Sequence, residues 1–153
     1  MIRAVLDTSV VVAAGRSKCP ESPNREILKR WIDREYVLLI SDDIAAEYAE
    51  KLKDRGVERE KIVSFMTNVF LLAEAVDIRF FHFRHYPVDE EDISFLLCAI
   101  NGAASHLVSY DPHLLDLDLF YTEFSSVSPN EFLVELRRVK RVRSQVPGSP
   151  PEN

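Results

Sequence analysis

Cysteine is scarce. Cys19 and Cys98 are too few in 153 residues for a disulfide framework, and they make a reducing cytoplasm the expected compartment. Long apolar runs are lacking as well: no stretch nears the roughly 18 to 20 residues that span a bilayer, so no membrane association is expected. Arg3 gives the N-terminus a positive charge, but the apolar pattern reaches a carboxylate at Asp7, too soon for a cleavable signal. There are no internal repeats, and the length suits one domain around one core. His82 and His85 stand three apart with no third ligand near, which argues for surface or packing roles rather than zinc.

The body of the chain is also short of positive charge. The formal net charge is −6, yet residues 137–153 set Arg137, Arg138, Lys140, Arg141 and Arg143 against Glu152 alone, so the tail is +4 and the body −10. Non-specific affinity for nucleic acid comes from Lys and Arg neutralising phosphates. A body this acidic either avoids nucleic acid or borrows cations, and a metal site is one way to borrow them. The tail suits RNA, an acidic partner or plain solubility. With Pro147, Gly148, Pro150 and Pro151 and almost nothing apolar, residues 141–153 are expected to be a disordered extension of a folded domain over 1–140.

What is present is an alternation of short apolar runs and amphipathic stretches. Ile2, Ala4, Val5 and Leu6 suit a central parallel strand covered on both faces, and the run ends on Asp7. Residues 10–14 suggest a short helix and 15–22 a loop holding Arg16, Lys18 and Cys19. Ser22 before Pro23 caps a helix striped by Ile27, Leu28, Trp31 and Ile32. Residues 36–40 read as a second strand; Ser41 caps a helix with Ile44, Tyr48 and Leu52 on one face and Glu47 beside it. Gly56 interrupts, and 58–73 resumes with Ile62, Phe65, Val69 and Leu72 at helical spacing.

Residues 75–79 are predicted as a third strand, 106–109 as a fourth and 124–127 as a fifth, at an edge. A linker over 80–88, rich in aromatics and histidines, gives way to a helix opened by Asp89, Glu90, Glu91 and Asp92. Its core side is Phe95, Leu96, Ala99 and Ile100, and Asn101 with Gly102 stops it. Asp111 and Pro112 turn the chain into a short helical piece with Leu114, Leu115 and Leu117. Ser128, Pro129, Asn130 and Glu131 make a capping box for a last helix docked by Phe132, Leu133 and Leu136. The expected fold class is α/β: a parallel sheet of about five strands between two helical layers.

Four separated carboxylates fall where such a fold gathers ligands. Asp7 and Asp111 follow strands at their carboxyl ends, and Glu47 and Asp92 lie in helices that such an end faces. If strands one and four are neighbours, the topological switch point lies between them. Each acid also has a plainer role: Asp7 as a helix cap, Glu47 in an ion pair with Lys51, Asp92 at the positive end of a helix, Asp111 in a turn before Pro112. In one crevice they would repel and raise each other's pKa values. Two divalent cations cancel that charge, and oxygen ligands favour Mg²⁺ or Mn²⁺ over Zn²⁺. Such a site suits phosphodiester hydrolysis by in-line attack of water. Ser9 and Ser109 are placed to hydrogen-bond beside it, and Arg16 and Lys18 to meet substrate phosphates. Cys98, Trp31 and the phenylalanines at helical spacing read as core.

Four motifs follow one another in a telling order. They are V-L-D-T-S-V-V-V at 5–12, L-I-S-D-D-I-A-A-E-Y at 39–48, D-E-E-D-I-S-F-L at 89–96 and H-L-V-S-Y-D-P-H-L-L at 106–115. In these the chain resembles the PIN domain family over about residues 2–138, especially the small prokaryotic, VapC-like proteins that serve as toxins of toxin–antitoxin pairs. The resemblance implies a three-layer α/β/α fold with strand order 3-2-1-4-5 and metal-dependent cleavage of single-stranded RNA. It implies Asp7, Glu47, Asp92 and Asp111 as the metal-binding acids, with one or two Mg²⁺ or Mn²⁺ ions and Ser9 and Ser109 beside them. It further implies a cognate antitoxin inserting near the acidic crevice, and a homodimer.

Three positions depart from the family's pattern. Ser9 stands where asparagine is frequent, Ile93 where a second aspartate often follows the acid, and Tyr110 where glycine is usual. Ile93 bears on a second metal position, and Tyr110 on access to the site or stacking on a base. Two rival readings stay open. One is a PIN-fold RNA- or protein-binding regulator without turnover, favoured by Ile93 and the acidic body. The other is a phospho-accepting α/β enzyme using Asp7, disfavoured by Ser9 where that chemistry wants a second aspartate.

Overall fold

Among the described residues, five short strands lie side by side and all parallel, in the order β3-β2-β1-β4-β5. They are β1 (Arg3–Leu6), β2 (Val37–Ile40), β3 (Glu74–Ala75), β4 (His106–Val108) and β5 (Ser125–Val127). The structure is a computed structural model that describes residues 1–82, 87, 89–145 and 148. His85 of the linker, and Pro147, Pro150, Pro151 and Glu152 of the tail, lie outside the described residues. β1 is central because its side chains are apolar on both faces: Ala4, Val5 and Leu6 are all fully buried. Leu6 stands opposite Val108, so β1 and β4 end together and the switch point falls between them.

Seven α-helices connect and cover the strands among the described residues: α1 (Thr8–Arg16), α2 (Pro23–Ile32), α3 (Asp42–Asp54), α4 (Arg59–Leu72), α5 (Ile93–Asn101), α6 (Pro112–Leu115) and α7 (Pro129–Ser144). α1 packs on α2 and α3, α3 on α4, and α2 on α7, which makes one layer. α5 packs on β1, β2 and β4 from the other face, as right-handed crossovers require when the strand order reverses. Trp31, Tyr36, Phe95 and Phe132 are buried in the core, with the Tyr36 and Phe132 rings edge to face at 5.2 Å. Cys98 is fully buried, and burial pushes its thiol up to about 12. No helix among the described residues is long and apolar enough to cross a membrane.

The element ends differ from expectation in ways that have causes. α1 starts at Thr8 and runs through Gly15 to Arg16, so Arg16 is helical rather than in a loop. A Cβ on Gly15 would lie 3.2 Å from both Leu52 and Val57, and its absence lets α1 close on α3. β3 is two residues long instead of five. Past it, the Asn101 side chain takes over from the strand ladder: its Oδ1 accepts the N–H groups of Arg79 (2.9 Å) and Phe80 (2.8 Å), and its Nδ2 donates to the Phe80 carbonyl (3.0 Å). The acidic run first makes a 3₁₀ turn over Glu90–Asp92, capped by Asp89, before α5 begins at Ile93. α7 continues to Ser144, tied to α2 by Arg137 with Glu26 (2.6 Å) and to the turn after it by Lys140 with Glu35 (3.0 Å).

Candidate active site

Asp7 is the residue on which β1 becomes α1. Its N–H donates to the Val108 carbonyl at 2.8 Å, one last rung of the ladder, and its own carbonyl accepts the Val10 N–H. It holds the N-cap position without using its side chain as a cap. The carboxylate turns instead to two hydroxyls: Oδ2 accepts from Ser9 Oγ and from Ser109 Oγ, each at 2.7 Å. Ser109, fully buried beyond the end of β4, accepts the Asp111 N–H on the same Oγ at 2.8 Å. The pairing of β1 with β4 thus brings Asp7 and Asp111 around one serine.

Glu47 arrives from the other side, on α3. Ser41 caps that helix, Ile44, Tyr48 and Leu52 bury its inner face, and the Tyr48 hydroxyl donates to the Leu6 carbonyl, pinning α3 to the end of β1. One residue earlier, Glu47 Oε2 accepts a hydrogen bond from Thr8 Oγ1. Burial raises the Glu47 pKa above the usual carboxylate range; the Thr8 bond opposes the rise, and the Asp7 and Glu91 charges add to it. The ion pair with Lys51 expected from the i, i+4 spacing does not form among the described residues.

Asp92 closes the 3₁₀ turn with only 6% of its surface exposed, and its Oδ2 is buried with no hydrogen-bond partner among the described residues. It stands at the N-cap position of α5, the positive helix end its place in the sequence suggested, and its side chain makes no cap hydrogen bond. Its pKa is pushed up to about 7, first by burial and then by the charges of Asp111, Asp7 and Asp89; His113 works the other way. Asp111 does serve as a cap: Oδ1 accepts the His113 N–H at 2.9 Å, and the His113 ring lies 3.7 Å from the same oxygen.

All four carboxylates line one cleft of about 570 Å³ at the carboxyl ends of the strands, together with Thr8, Ser9, Arg16, Lys51, Arg55, Asp89 and Glu91. Ser109 lies behind the wall, buttressing Asp7. Lys18 is not part of the lining, because α1 ends at Arg16 and the extended Ser17 carries the chain out to solvent. Tyr110 does not line the cleft either; its hydroxyl exchanges hydrogen bonds with the buried Asn24 side chain on α2, at 2.8 and 3.1 Å. Thr8, Asp89 and Glu91 were not singled out by the sequence. Thr8 carried a signal in its place next to Asp7, whereas Asp89 and Glu91 were hidden in an acidic run already explained by a helix start. The donors facing the cleft are oxygens, and the orphaned Asp92 Oδ2 suits a hard cation. Among the described residues no three of these side chains yet stand as a closed ligand set.

The sequence profile of the PIN domain matches residues 3–113, most of the chain. The protein therefore belongs to the PIN domain family. Among solved structures it is similar to a chain of VapBC2 from Rickettsia felis, determined bound to a DNA fragment from the promoter: 15% identity, TM-score 0.54, covering 83% of this chain and 98% of that one. At that identity the likeness speaks for the fold. No curated protein matches.

Proposed function

We propose that this protein is a metal-dependent endoribonuclease that hydrolyses single-stranded RNA, and the toxin of a toxin–antitoxin pair. The observation that carries the reading is the convergence of Asp7, Glu47, Asp92 and Asp111 on one cleft, with a buried and unpartnered oxygen on Asp92. An unsatisfied buried carboxylate oxygen is costly, and a divalent cation is the group that would satisfy it without protonating it. Asp7, Glu47, Asp92 and Asp111 would hold one or two Mg²⁺ or Mn²⁺ ions, drawn inward from their present spacing. Bound there, the metal supplies positive charge and Lewis acidity where a phosphodiester would otherwise be repelled.

The chain's own residues do the rest. Ser9 and Ser109 hold the Asp7 carboxylate at a fixed angle, and Thr8 does the same for Glu47. Tyr48 keeps α3 at the end of β1, so Glu47 cannot drift from Asp7. Water is the nucleophile in this reading, so the products carry a 5′-phosphate and a 3′-hydroxyl. A cognate antitoxin covering the acidic crevice, a homodimer and a cytoplasmic location complete the proposal; the PIN family and the likeness to a VapBC2 chain support it.

The decisive test is cleavage of single-stranded RNA by purified protein with Mn²⁺ or Mg²⁺. Chelator should stop it, and Asp7→Asn or Asp92→Asn should abolish it; cleavage undiminished in both variants overturns the proposal. One observation favours a second reading, a binding or regulatory protein without turnover: Ile93 follows Asp92 where the PIN pattern often has a second aspartate, and no closed ligand set stands ready among the described residues. Metal binding without cleavage would select it.

A further inference from the structure

The cleft is not acidic throughout. α1 and α3 run the same way along it: Thr8 meets Glu47 at one end, and Gly15 packs close to Leu52 and Val57 at the other. Glu47 and Lys51 on α3 and Arg55 at its C-cap follow at i, i+4 and i+8, along one side of the helix, so the two cations lie about 6 and about 12 Å along the axis from the carboxylate. On α1, Arg16 lies about 13 Å along the axis from Asp7. Val12 and Ala13 line the cleft between the acids and these cations. Among the described residues Arg16, Lys51 and Arg55 take part in no ion pair. Elsewhere the cations Arg30, Arg137 and Lys140 are all held by Glu26 or Glu35. Lys51 is one turn from Glu47 yet makes no ion pair with it among the described residues; its charge acts on that carboxylate from a longer distance.

We infer that Lys51 and Arg55, with Arg16 opposite them, form a second subsite that holds the backbone phosphates of the RNA strand next to the one being cut. This rests on the ribonuclease reading. A metal neutralises charge only where it sits, and the following phosphates of the strand would still face a body of charge −10. A row of two cations, one on α3 and one at its C-cap, facing a third, meets those phosphates in turn, and an arginine can take a phosphate through two parallel N–H bonds. The row runs one way from the acids, so the strand is gripped on one side of the scissile bond. The residues are positioning residues, not catalytic ones.

The test compares wild type with a Lys51→Gln/Arg55→Gln double variant, checked by thermal melting to fold alike. Each is assayed with Mn²⁺ on a short and a longer single-stranded RNA of one sequence, across a salt series, with anisotropy of the labelled longer RNA measured in parallel. The expected result is a KM on the longer RNA raised about tenfold at unchanged kcat, loss of the preference for the longer RNA, and a salt slope shallower by about 1 to 1.5. Wild-type KM and salt slope in the double variant overturn the inference. Wild type that cleaves neither RNA defeats the ribonuclease reading instead; anisotropy then decides, with weaker binding by the double variant supporting the subsite and equal or absent binding overturning it.

Discussion

Asp7 and Ser109 are 102 residues apart in sequence and 2.7 Å apart at their side-chain oxygens, Ser109 donating to Asp7 Oδ2. The same Ser109 oxygen accepts the Asp111 N–H, so one buried hydroxyl sets the position of an acid just after β1 relative to an acid after β4. Without it, the two strand ends would be paired but the two carboxylates would not be aimed.

Ser109→Ala removes both bonds and leaves the half-buried Asp111 N–H and the buried Asp7 carboxylate each short of a partner. The expected loss is about 1 to 3 kcal/mol of stability. Mn²⁺ affinity should fall about 10- to 100-fold, as is usual when the partner of a metal ligand is lost. Denaturant unfolding and a metal titration measure the two; affinity equal to wild type would show that the serine is merely structural.

Divalent metal should stabilise the folded chain. With free Mn²⁺ at about 100 times its Kd, the gain is about 2.7 kcal/mol and the melting midpoint climbs with concentration. Asp92→Asn and Asp7→Asn should each remove most of the climb. A midpoint indifferent to Mn²⁺ and Mg²⁺ in the wild-type protein would rule out the metal site.

The pH dependence follows from Asp92. Its pKa in the fold is about 7 against an ordinary 3.8, so the folded state binds this proton more tightly than the unfolded one. Stability of the metal-free protein therefore falls as pH rises between those two values and stays lowered above them. Asp92→Asn should flatten the fall and melt higher than metal-free wild type in mildly alkaline buffer. Since the cation must displace the Asp92 proton, apparent Mn²⁺ affinity should rise with pH through this window and then level off.

Asn101→Ala provides a contrast far from the chemistry. The side chain bonds Arg79, Phe80 and the Leu97 carbonyl, standing in for the ladder that β3 abandons. A cost of about 1 to 3 kcal/mol is expected, with the Mn²⁺-induced shift in melting unchanged. Hydrogen exchange at residues 79 and 80 would report the loss locally.

The alternation of apolar runs and helical stripes was enough to determine the layers, because period and capping are local properties. Ser22 with Pro23, Ser41 and Ser128 all stand at the helix starts they announced. The four acids could be named as well, since each follows or faces a strand end. Local patterns could not say how each acid is held. Asp7 at a helix start looked like a cap, and its side chain does not cap; Asp92 stands at the positive end of α5 as read, but one of its oxygens is buried without a partner among the described residues; Glu47 looked paired with Lys51, and is bound by Thr8 instead. Those choices turn on which oxygens meet across β1, β4, α1 and α3, and contacts between distant segments exist only once the sheet has closed. Burial did the same for Asp92: a pKa near 7 and an orphaned oxygen come from the surrounding walls, which no single stretch of the chain contains.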